Sequence, residues 1–225
     1  MPCLPYDLIR SGRRTLSLTI GADGKLIARA PQCMPIRSIE AFIIQKQHWI
    51  LEKQRLFAEK TRIVSSLQLQ EGACLPFANA SLTLRMADVP FAFAYHGTLL
   101  LPANEPPAAS VASWLRIQAE LLLTPLISVH AQAMGHFPSA VRFSTARTRW
   151  GSMSSQGTLR LNTVLVLCPR IVAEYVVIHE LAHIAHPNHS ASFWAFVQHQ
   201  MPDYRIYRTW LKQHNYLTTL LHSSP

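Results

Sequence analysis

The chain has 225 residues, of which 49% are apolar and 15% are charged, and its formal net charge is +9. This length and composition indicate a globular protein that can bury a core without disulfide staples, and they exclude a disordered chain or a coiled coil. The four cysteines stand far apart without a CxxC pair, which disfavours a disulfide framework or a thiolate zinc site and fits a reducing compartment: Cys3, Cys33, Cys74 and Cys168.

The first hundred residues predict sheets on either side of a helix. The segment Leu8 to Ile20 alternates partly in hydropathy, and Gly21 to Gly24 predicts a turn into Lys25 to Ala30, so we expect a hairpin. From Ser38 to Phe57 the apolar residues recur at helical spacing with lysines on another face, which predicts one amphipathic helix. Short apolar runs between residues 63 and 101 predict three or four brief strands.

A proline-rich stretch, Pro102 to Pro107, is the best boundary candidate because proline disfavours both helix and strand pairing. It divides the chain into an N-terminal α+β region, residues 1–105, and a C-terminal domain, residues 106–225. Beyond the boundary we expect a long helix, two strands and a helix entered through a proline: Ser110 to Met134, Ala140 to Thr145, Thr158 to Leu165 and the segment after Pro169.

The C-terminal half is basic. After residue 120 the acids are Glu174, Glu180 and Asp203, against eight lysines or arginines. Such a face attracts anions, which leaves phosphorylated substrates or nucleic acid open as partners, although no nucleic-acid motif accompanies it. The alternative is a solvated basic surface that aids solubility.

No apolar segment is long enough for a membrane helix. The longest candidate, Ala119 to Val129, is interrupted by Glu120 and Pro125. The N-terminus lacks an unbroken apolar stretch followed by a small-residue cleavage site, so we see no secretory signal. We therefore expect a cytoplasmic protein with no membrane partner.

The segment from residue 175 to 189 carries the clearest chemistry. His179, Glu180 and His183 form an HExxH motif. Because four residues of an α-helix turn through about 400°, the two histidines lie one turn apart on one face and can bind one metal ion. Glu180 lies about 100° around the helix, where it can take a proton from metal-bound water. The spacing therefore predicts a metal-dependent hydrolase with Glu180 as its general base.

A catalytic zinc ion usually has three protein ligands and one open position, so a third ligand is expected here. His186 and His189 are the candidates. Pro187 disfavours helical dihedrals at His186 and ends the helix there, while Asn188 tolerates the left-handed conformation of a sharp turn. We therefore expect the chain to reverse and to bring His189, rather than His186, to a single Zn²⁺ ion held by the two helical histidines.

Five runs of the sequence resemble the YgjP-like family of zinc metallopeptidases: Thr148 to Ser152, Arg160 to Asn162, Tyr175 to His183, His186 to His189, and Phe193 with Trp194. The resemblance covers nearly the whole chain. It implies an α+β fold with an N-terminal β-rich region, one amphipathic helix and a C-terminal zincin-like helical half with a small sheet, related to SprT-like minimal peptidases. It also implies that His179, His183 and His189 are the zinc ligands and that Glu180 is catalytic.

Substrate-binding candidates precede the motif in the chain. Trp150 and Gly151 are expected at a strand edge beside the metal, where glycine permits close backbone approach and an extended peptide can add as a strand. The alternative for Trp150 is packing beside a turn. Arg147 and Arg149 can hold a substrate carboxylate or phosphate, although surface arginines without such a role are commoner.

Four further polar residues are candidates for supporting roles. Asn162 and Asp203 can orient the ligand imidazoles through hydrogen bonds. Tyr204 or Tyr207 can donate a hydrogen bond to a developing oxyanion, although tyrosines at this spacing more often pack against a helix. Met153 stands where many relatives have cysteine, which argues against an essential ligand at that position.

The leading interpretation is a zinc-dependent metallopeptidase, a protease that hydrolyses peptide bonds through metal-activated water. A metal-dependent hydrolase of nucleoside triphosphates or phosphate esters would use the same site, with the arginines neutralising phosphate charge. A third interpretation is a non-catalytic nucleic-acid or protein binding module that keeps the zinc helix as a scaffold. The intact Glu180 argues against that third interpretation, and the fold does not decide between peptide and phosphate chemistry.

Overall fold

The computed structural model of the chain has a mixed α+β fold, as the sequence predicted, and describes residues 4–21, 23–66, 68–77 and 80–222. Contacts within the chain define two compact units, the first ending at Ser65 and the second beginning at Ser66. Within the described ranges, no helix is long and apolar enough to cross a membrane. The three described cysteines, Cys33, Cys74 and Cys168, are unpaired, and Cys3 lies outside the described residues.

Three strands form the sheet of the first unit: β1 (Tyr6–Ser11), β2 (Ser17–Ile20) and β3 (Leu26–Pro31). The central strand, β3, pairs antiparallel with β2 and parallel with β1. The predicted hairpin is therefore the β2–β3 pair, and the segment Leu8 to Ile20 contains parts of two strands rather than one.

Two helices follow this sheet, α1 (Ile36–Gln45) and α2 (Gln47–Ser66), where the sequence predicted one. The helix is interrupted at Lys46, whose backbone lies at φ −97° and ψ 9°. Alternate residues of β3 are buried because side chains of a strand point to opposite faces. They meet the buried isoleucines of the helices in one core: Leu26, Ala28, Ala30, Ile39, Ile43 and Ile50.

The second unit begins with a four-stranded sheet in the order β4-β5-β7-β6: β4 (Cys74–Phe77), β5 (Ala80–Ala87), β6 (Phe93–Tyr95) and β7 (Thr98–Pro102). The buried leucines of β5 and β7 share one core with Trp114, which lies beyond the Pro102 to Pro107 stretch. The division between units thus falls at residue 65 and not at residue 105. The proline-rich stretch interrupts the secondary structure, but the residues on its two sides belong to the same core.

The remaining elements of the second unit surround a second, smaller sheet. They are α3 (Pro107–Met134), β8 (Ala140–Ser144), β9 (Gly151–Met153), β10 (Thr158–Asn162), α4 (Arg170–Ala182), α5 (Ala191–Gln200) and α6 (Tyr204–Gln213). The strand order is β8-β10-β9, so β9 is an edge strand that pairs only with β10. A 3-10 helix over Thr163–Leu167 leads into α4, and another over Asn215–His222 follows α6.

The predicted strand Thr158 to Leu165 is shorter than expected because Asn162 ends it. The Asn162 side chain accepts a hydrogen bond of 3.2 Å from the backbone N–H of Val164, which starts the 3-10 helix. Helix α4 lies in the centre of the unit and buries apolar residues on most of its surface, as a helix with neighbours on several sides does. Its C-terminal end lies beside β9 and α5, where the candidate site is found.

Candidate metal centre

Helix α4 positions the HExxH motif. It begins after Pro169, whose fixed φ suits the first turn and whose missing N–H needs no partner there. Arg170 donates to Glu174 at 2.9 Å across this turn, an (i, i+4) ion pair of the kind that supports helices. His179 lies in the last turns and His183 caps the C-terminal end, so their ring centroids are 5.1 Å apart.

The chain reverses after the helix, which returns His189 to the other two histidines. Regular helix ends at Ala182, one turn earlier than predicted, although the N–H of His186 still donates to the Ala182 carbonyl at 3.0 Å. Pro187 and Asn188 form the bend. The expected left-handed backbone at Asn188 is wrong, since His96 is the one non-glycine residue with positive φ in the described ranges.

A new helix starts directly after His189 because Ser190 caps it. The Ser190 hydroxyl accepts a hydrogen bond from the backbone N–H of Phe193 at 3.4 Å, which satisfies a donor of the first turn of α5. The linker between α4 and α5 is therefore short, and His189 is held close to the C-terminal end of α4.

Three imidazoles converge at this point. One ligand atom from each of His179, His183 and His189 lies within 4.8 Å of the other two, a group that could hold a metal ion. The Nε2 atoms of His179 and His189 face each other at 3.1 Å. His186 is outside the group: its carbonyl oxygen lies 3.0 Å from Nδ1 of His183, and its ring lies against Phe196.

Phe193 forms the floor beneath the three imidazoles. Its side chain is fully buried, and its ring centroid lies 5.0 Å from that of His179, 4.6 Å from His183 and 4.8 Å from His189. Trp194 stacks on His189, with centroids 5.4 Å apart and planes at 18°. These two aromatic rings restrict the imidazole orientations by packing alone, which the sequence analysis did not foresee.

The environment of His179 and His189 favours the neutral form of both rings. Burial, followed by the proximity of His183, His189 and Arg208, lowers the pKa of His179 to about 3. Burial, followed by His183 and Arg208, also lowers the pKa of His189. Neutral imidazoles have a lone pair to offer, which is the form that binds metal ions.

Glu180 lies beside the imidazole group under the edge strand β9. Its side chain is 7% exposed, and burial raises its pKa to about 7 against the smaller opposing effects of a backbone hydrogen bond from Met153 and the charge of Arg149. Gly151 makes room for it, because a Cβ built on Gly151 would lie 2.8 Å from Cγ of Glu180. A carboxyl group with a pKa near neutrality can both accept and return a proton.

Two clefts open on either side of the imidazole group and Glu180. One has a volume of about 540 Å³ and is lined by aromatic and basic side chains, among them Trp150, Tyr175, Trp194, Arg208 and Lys212. The other has a volume of about 720 Å³ and is lined by Pro187 and by residues of β9 and the turn after it, among them Gly151, Ser152, Ser154 and Ser155. His179, Glu180 and His189 border both clefts, so a ligand that crosses from one to the other passes the candidate metal centre.

The predicted substrate-binding residues divide into two groups. Trp150 and Gly151 line the smaller cleft, as expected for residues at a strand edge. Arg147 and Arg149 are exposed and line neither cleft, although Arg149 is close enough to influence the pKa of Glu180. Their backbone carbonyls accept hydrogen bonds from Thr218 and Asn162 instead.

The tyrosines expected to face an oxyanion pack inside the unit instead. Tyr204 is buried, stacks on Trp194 with ring centroids 5.3 Å apart and lines neither cleft. Tyr207 packs against Tyr175. The tyrosine that borders the smaller cleft is Tyr175, and burial raises its pKa to about 12, so its hydroxyl stays protonated. Sequence reasoning missed it, although it lies one turn before His179.

Neither predicted imidazole-orienting residue contacts the histidines. The buried amide of Asn162 donates to the carbonyls of Ala146 at 2.7 Å and Arg149 at 3.0 Å, so it holds the loop that leads into β9. Asp203 is exposed at the start of α6. The contact that orients an imidazole is instead the backbone carbonyl of His186 on Nδ1 of His183, which leaves Nε2 of that ring available.

Comparison with known proteins identifies the family of this chain. Residues 14–214 match the family described as YgjP-like, metallopeptidase domain, whereas the curated proteins give no match. One solved structure, the crystal structure of the metallopeptidase zymogen of Pyrococcus abyssi abylysin, is 22% identical with a TM-score of 0.37 and covers 40% of this chain and 93% of that chain. That likeness is too low to carry an argument, but the family match spans most of the sequence. The chain belongs to the YgjP-like family of metallopeptidases.

Proposed function

We propose that the chain is a zinc-dependent protease in which His179, His183 and His189 hold one zinc ion and Glu180 is the general base for peptide-bond hydrolysis. The observation that carries this proposal is the convergence of three imidazoles within 4.8 Å beside a buried carboxyl group. Both features lie in the region matched by a metallopeptidase family. The catalytic domain in this proposal is the second compact unit, from Ser66 onward.

The donor set fits zinc better than a hard cation. Three neutral nitrogen ligands suit zinc, whereas calcium and magnesium prefer oxygen. At Zn–N distances of 2.0–2.1 Å, two ligands of a tetrahedral ion lie about 3.3 Å apart. The 3.1 Å separation of the His179 and His189 nitrogens is close to that value. Three protein ligands leave one position open, which is typical of a catalytic zinc.

Zinc held in this way supplies Lewis acidity, which polarises a carbonyl group and makes water acidic near neutral pH. The protein's own contribution is proton transfer at Glu180. The carboxylate accepts the proton of the attacking water and returns it to the leaving amine. Burial favours proton uptake by this carboxylate, since it raises the pKa of the group in the metal-free protein. The backbone N–H of Met153 holds the carboxylate in place during both steps.

The edge strand β9 supports a peptide as the substrate. One side of β9 pairs with β10, and its other side carries backbone groups that no described strand pairs, of which the Met153 N–H is directed at Glu180. An extended peptide that adds to such an edge gains main-chain hydrogen bonds without a sequence requirement. Gly151 borders both clefts, and Ser152 and Met153 border the larger one, so the added strand runs past Glu180.

A cleavage assay with a matched pair of proteins tests the proposal. Wild type and Glu180→Gln are purified, their zinc content is measured, and both are incubated with unfolded proteins, peptides and nucleoside triphosphates. We expect wild type to cleave peptides, and Glu180→Gln to retain about one zinc per chain while its rate falls by a factor of at least about 10² to 10⁴. Release of phosphate or pyrophosphate without peptide cleavage would assign the site to phosphate chemistry. Absence of bound metal from both proteins after zinc supplementation would reject the metal centre itself.

A further inference from the structure

The smaller cleft contains two positive charges that the proposed hydrolysis does not use. Arg208 and Lys212 both line it, and both belong to α6. They are four residues apart, which places them one turn apart on the same face of the helix. A helix face thus directs two adjacent cations toward the side of the cleft that carries Trp194.

Arg208 is held in place by an aromatic ring. Its guanidinium carbon lies 4.5 Å from the ring centroid of Trp194, a cation–π contact. Trp194 in turn stacks on His189. The guanidinium group is therefore positioned against the same ring that packs on a candidate zinc ligand, which reduces the conformational entropy lost when it binds a ligand.

Neither cation has an acidic partner among the described residues. The ion pairs of the described residues join Lys25, Arg55, Arg116 and Arg170 to acids, and Arg208 and Lys212 take part in none of them. Glu180 is the acidic residue among those that line the smaller cleft, and it lies buried on α4.

The charge is confined to one side of the candidate metal centre. The residues that line the larger cleft include serines and glycines but neither lysine nor arginine. A substrate that spans both clefts therefore meets two cations on one side of the reacting bond and a surface without lysine or arginine on the other. Such an asymmetry selects by charge and fixes the direction in which the substrate lies.

We infer that Arg208 and Lys212 bind a carboxylate of the peptide substrate, so that this protease prefers peptides with a negative charge next to the bond that is cleaved. This inference rests on the proposed function. A planar guanidinium group matches a carboxylate with two parallel hydrogen bonds, and the lysine adds a second charge. A peptide offers this group from two sources, its C-terminal α-carboxylate or an Asp or Glu side chain, and the experiment distinguishes them.

Binding is measured separately from cleavage by using Glu180→Gln loaded with zinc. Three fluorescein-labelled peptides share one sequence: the first ends in a free carboxylate and has neutral side chains, the second is amidated and contains one Glu, and the third is amidated with Gln in place of Glu. Fluorescence anisotropy gives the dissociation constants. We expect the first or the second peptide to bind about tenfold more tightly than the third, as one charge-assisted hydrogen bond predicts. The tighter peptide identifies the source of the carboxylate.

Substitutions in the same background assign the preference to the two cations. Arg208→Gln and Lys212→Gln should each reduce the advantage of the acidic peptide about threefold to tenfold and leave the neutral peptide unchanged. Arg208→Lys should retain part of the advantage of the acidic peptide, because lysine keeps the positive charge but lacks the planar guanidinium group that makes two parallel hydrogen bonds. Arg205→Gln is the matched control, since Arg205 is exposed on the same helix, carries the same charge and does not line the cleft. Circular dichroism and zinc content verify that each variant is folded.

The possible results separate this inference from the proposed function. The inference is overturned if all three peptides bind with equal affinity, or if Arg205→Gln loses as much of the preference for the acidic peptide as Arg208→Gln does. It is also overturned if wild type cleaves the neutral peptide at the rate of the acidic one, although the protease assignment then stands. Charge-dependent binding that is lost in Arg208→Gln, without cleavage of any peptide by wild type, supports the binding site and removes the protease assignment. Tight binding of adenosine triphosphate with no discrimination among the peptides overturns the carboxylate assignment.

Discussion

Gly151 lies so close to Glu180 that a side chain at position 151 would collide with the Glu180 side chain. A Cβ on Gly151 would be 2.8 Å from Cγ and 2.9 Å from Oε1 of Glu180, closer than real Cβ contacts. The backbone of Gly151 is not in the left-handed region, so the glycine is required here for space rather than for its conformational freedom. The absence of a side chain at the start of β9 therefore determines where the proposed general base sits.

Gly151→Ala should displace the Glu180 carboxylate and reduce kcat/KM for peptide hydrolysis by about tenfold to a hundredfold, since misplacement by about 1 Å can cost that much. Zinc content should be unchanged, because the histidines are not displaced. Steady-state kinetics and metal analysis measure the two effects. Ser152→Ala is the control at the next position. A Gly151→Ala enzyme with wild-type kinetics would show that Glu180 does not need its present position.

His189→Ala should weaken zinc binding at least about a hundredfold, because the proposed site is left with two protein ligands. His189 is exposed on the linker after α4, so the metal-free protein should keep its free energy of unfolding within about 0.5 kcal/mol. Competition with a zinc chelator measures the affinity. His186→Ala is the matched control three residues earlier, since its ring is outside the imidazole group. Equal losses of zinc affinity in the two variants would contradict the choice of His189 as the third ligand.

The stability of the metal-free protein should depend on pH through Glu180. Burial raises the pKa of this carboxyl from 4.5 to about 7, so the folded state favours its protonated form. The resulting stabilisation is complete below the unfolded pKa and is lost as the pH rises through the folded pKa. Relative to Glu180→Gln, wild type should lose about 2 kcal/mol of unfolding free energy between pH 5.5 and pH 8.

Urea denaturation of both proteins in the presence of a chelator measures this difference. The Glu180→Gln protein retains the titrating histidines, so their contribution cancels in the comparison. Added zinc should abolish the difference, because a nearby cation favours the ionised carboxylate. A wild-type curve parallel to that of Glu180→Gln in the absence of metal would mean that the carboxyl is more hydrated than its burial indicates.

The described cysteines should differ sharply in reactivity. Burial raises the pKa of the Cys168 thiol well above its usual range, and its side chain is 3% exposed, so it should resist alkylation at neutral and mildly alkaline pH. Cys33 and Cys74 are exposed and should react readily. Iodoacetamide labelling followed by peptide mapping gives the modified positions. Labelling of Cys168 in the native protein would indicate that the second unit opens far more readily than its packing implies.

The local part of the candidate site was predictable from sequence. The spacing of His179 and His183 fixes their shared helix face through helix geometry, and Pro187 forces the chain to turn near His189. The α+β fold and the family resemblance are confirmed, whereas the roles of the histidines and Glu180 stay predictions. The sequence placed the end of α4 one turn too late. Regular helix stops at Ala182 and is followed by a tighter turn that precedes Pro187.

The parts that depend on tertiary packing were not readable. Phe193 contacts all three imidazoles because α5 folds back onto α4. The family resemblance singled out Phe193 in the sequence, but it did not indicate these contacts. Arg208 and Lys212 reach the cleft from α6 in the same way. Asn162 was expected to orient an imidazole, but it holds the loop before β9, since a buried amide binds whichever carbonyls the fold brings near.

The leucines that β5 and β7 bury together with α3 have a practical consequence for shortened versions of this protein. Leu82, Leu84, Leu99 and Leu101 are each less than 10% exposed in the core that also contains Trp114 and α4. A fragment that started at residue 106 would lack β5 and β7. The apolar side chains of α3 and α4 that pack in the same core would then be exposed, and the fragment would tend to aggregate. A fragment that started near Ser66 keeps both sides of this core together, and is the one to express when only the second unit is wanted.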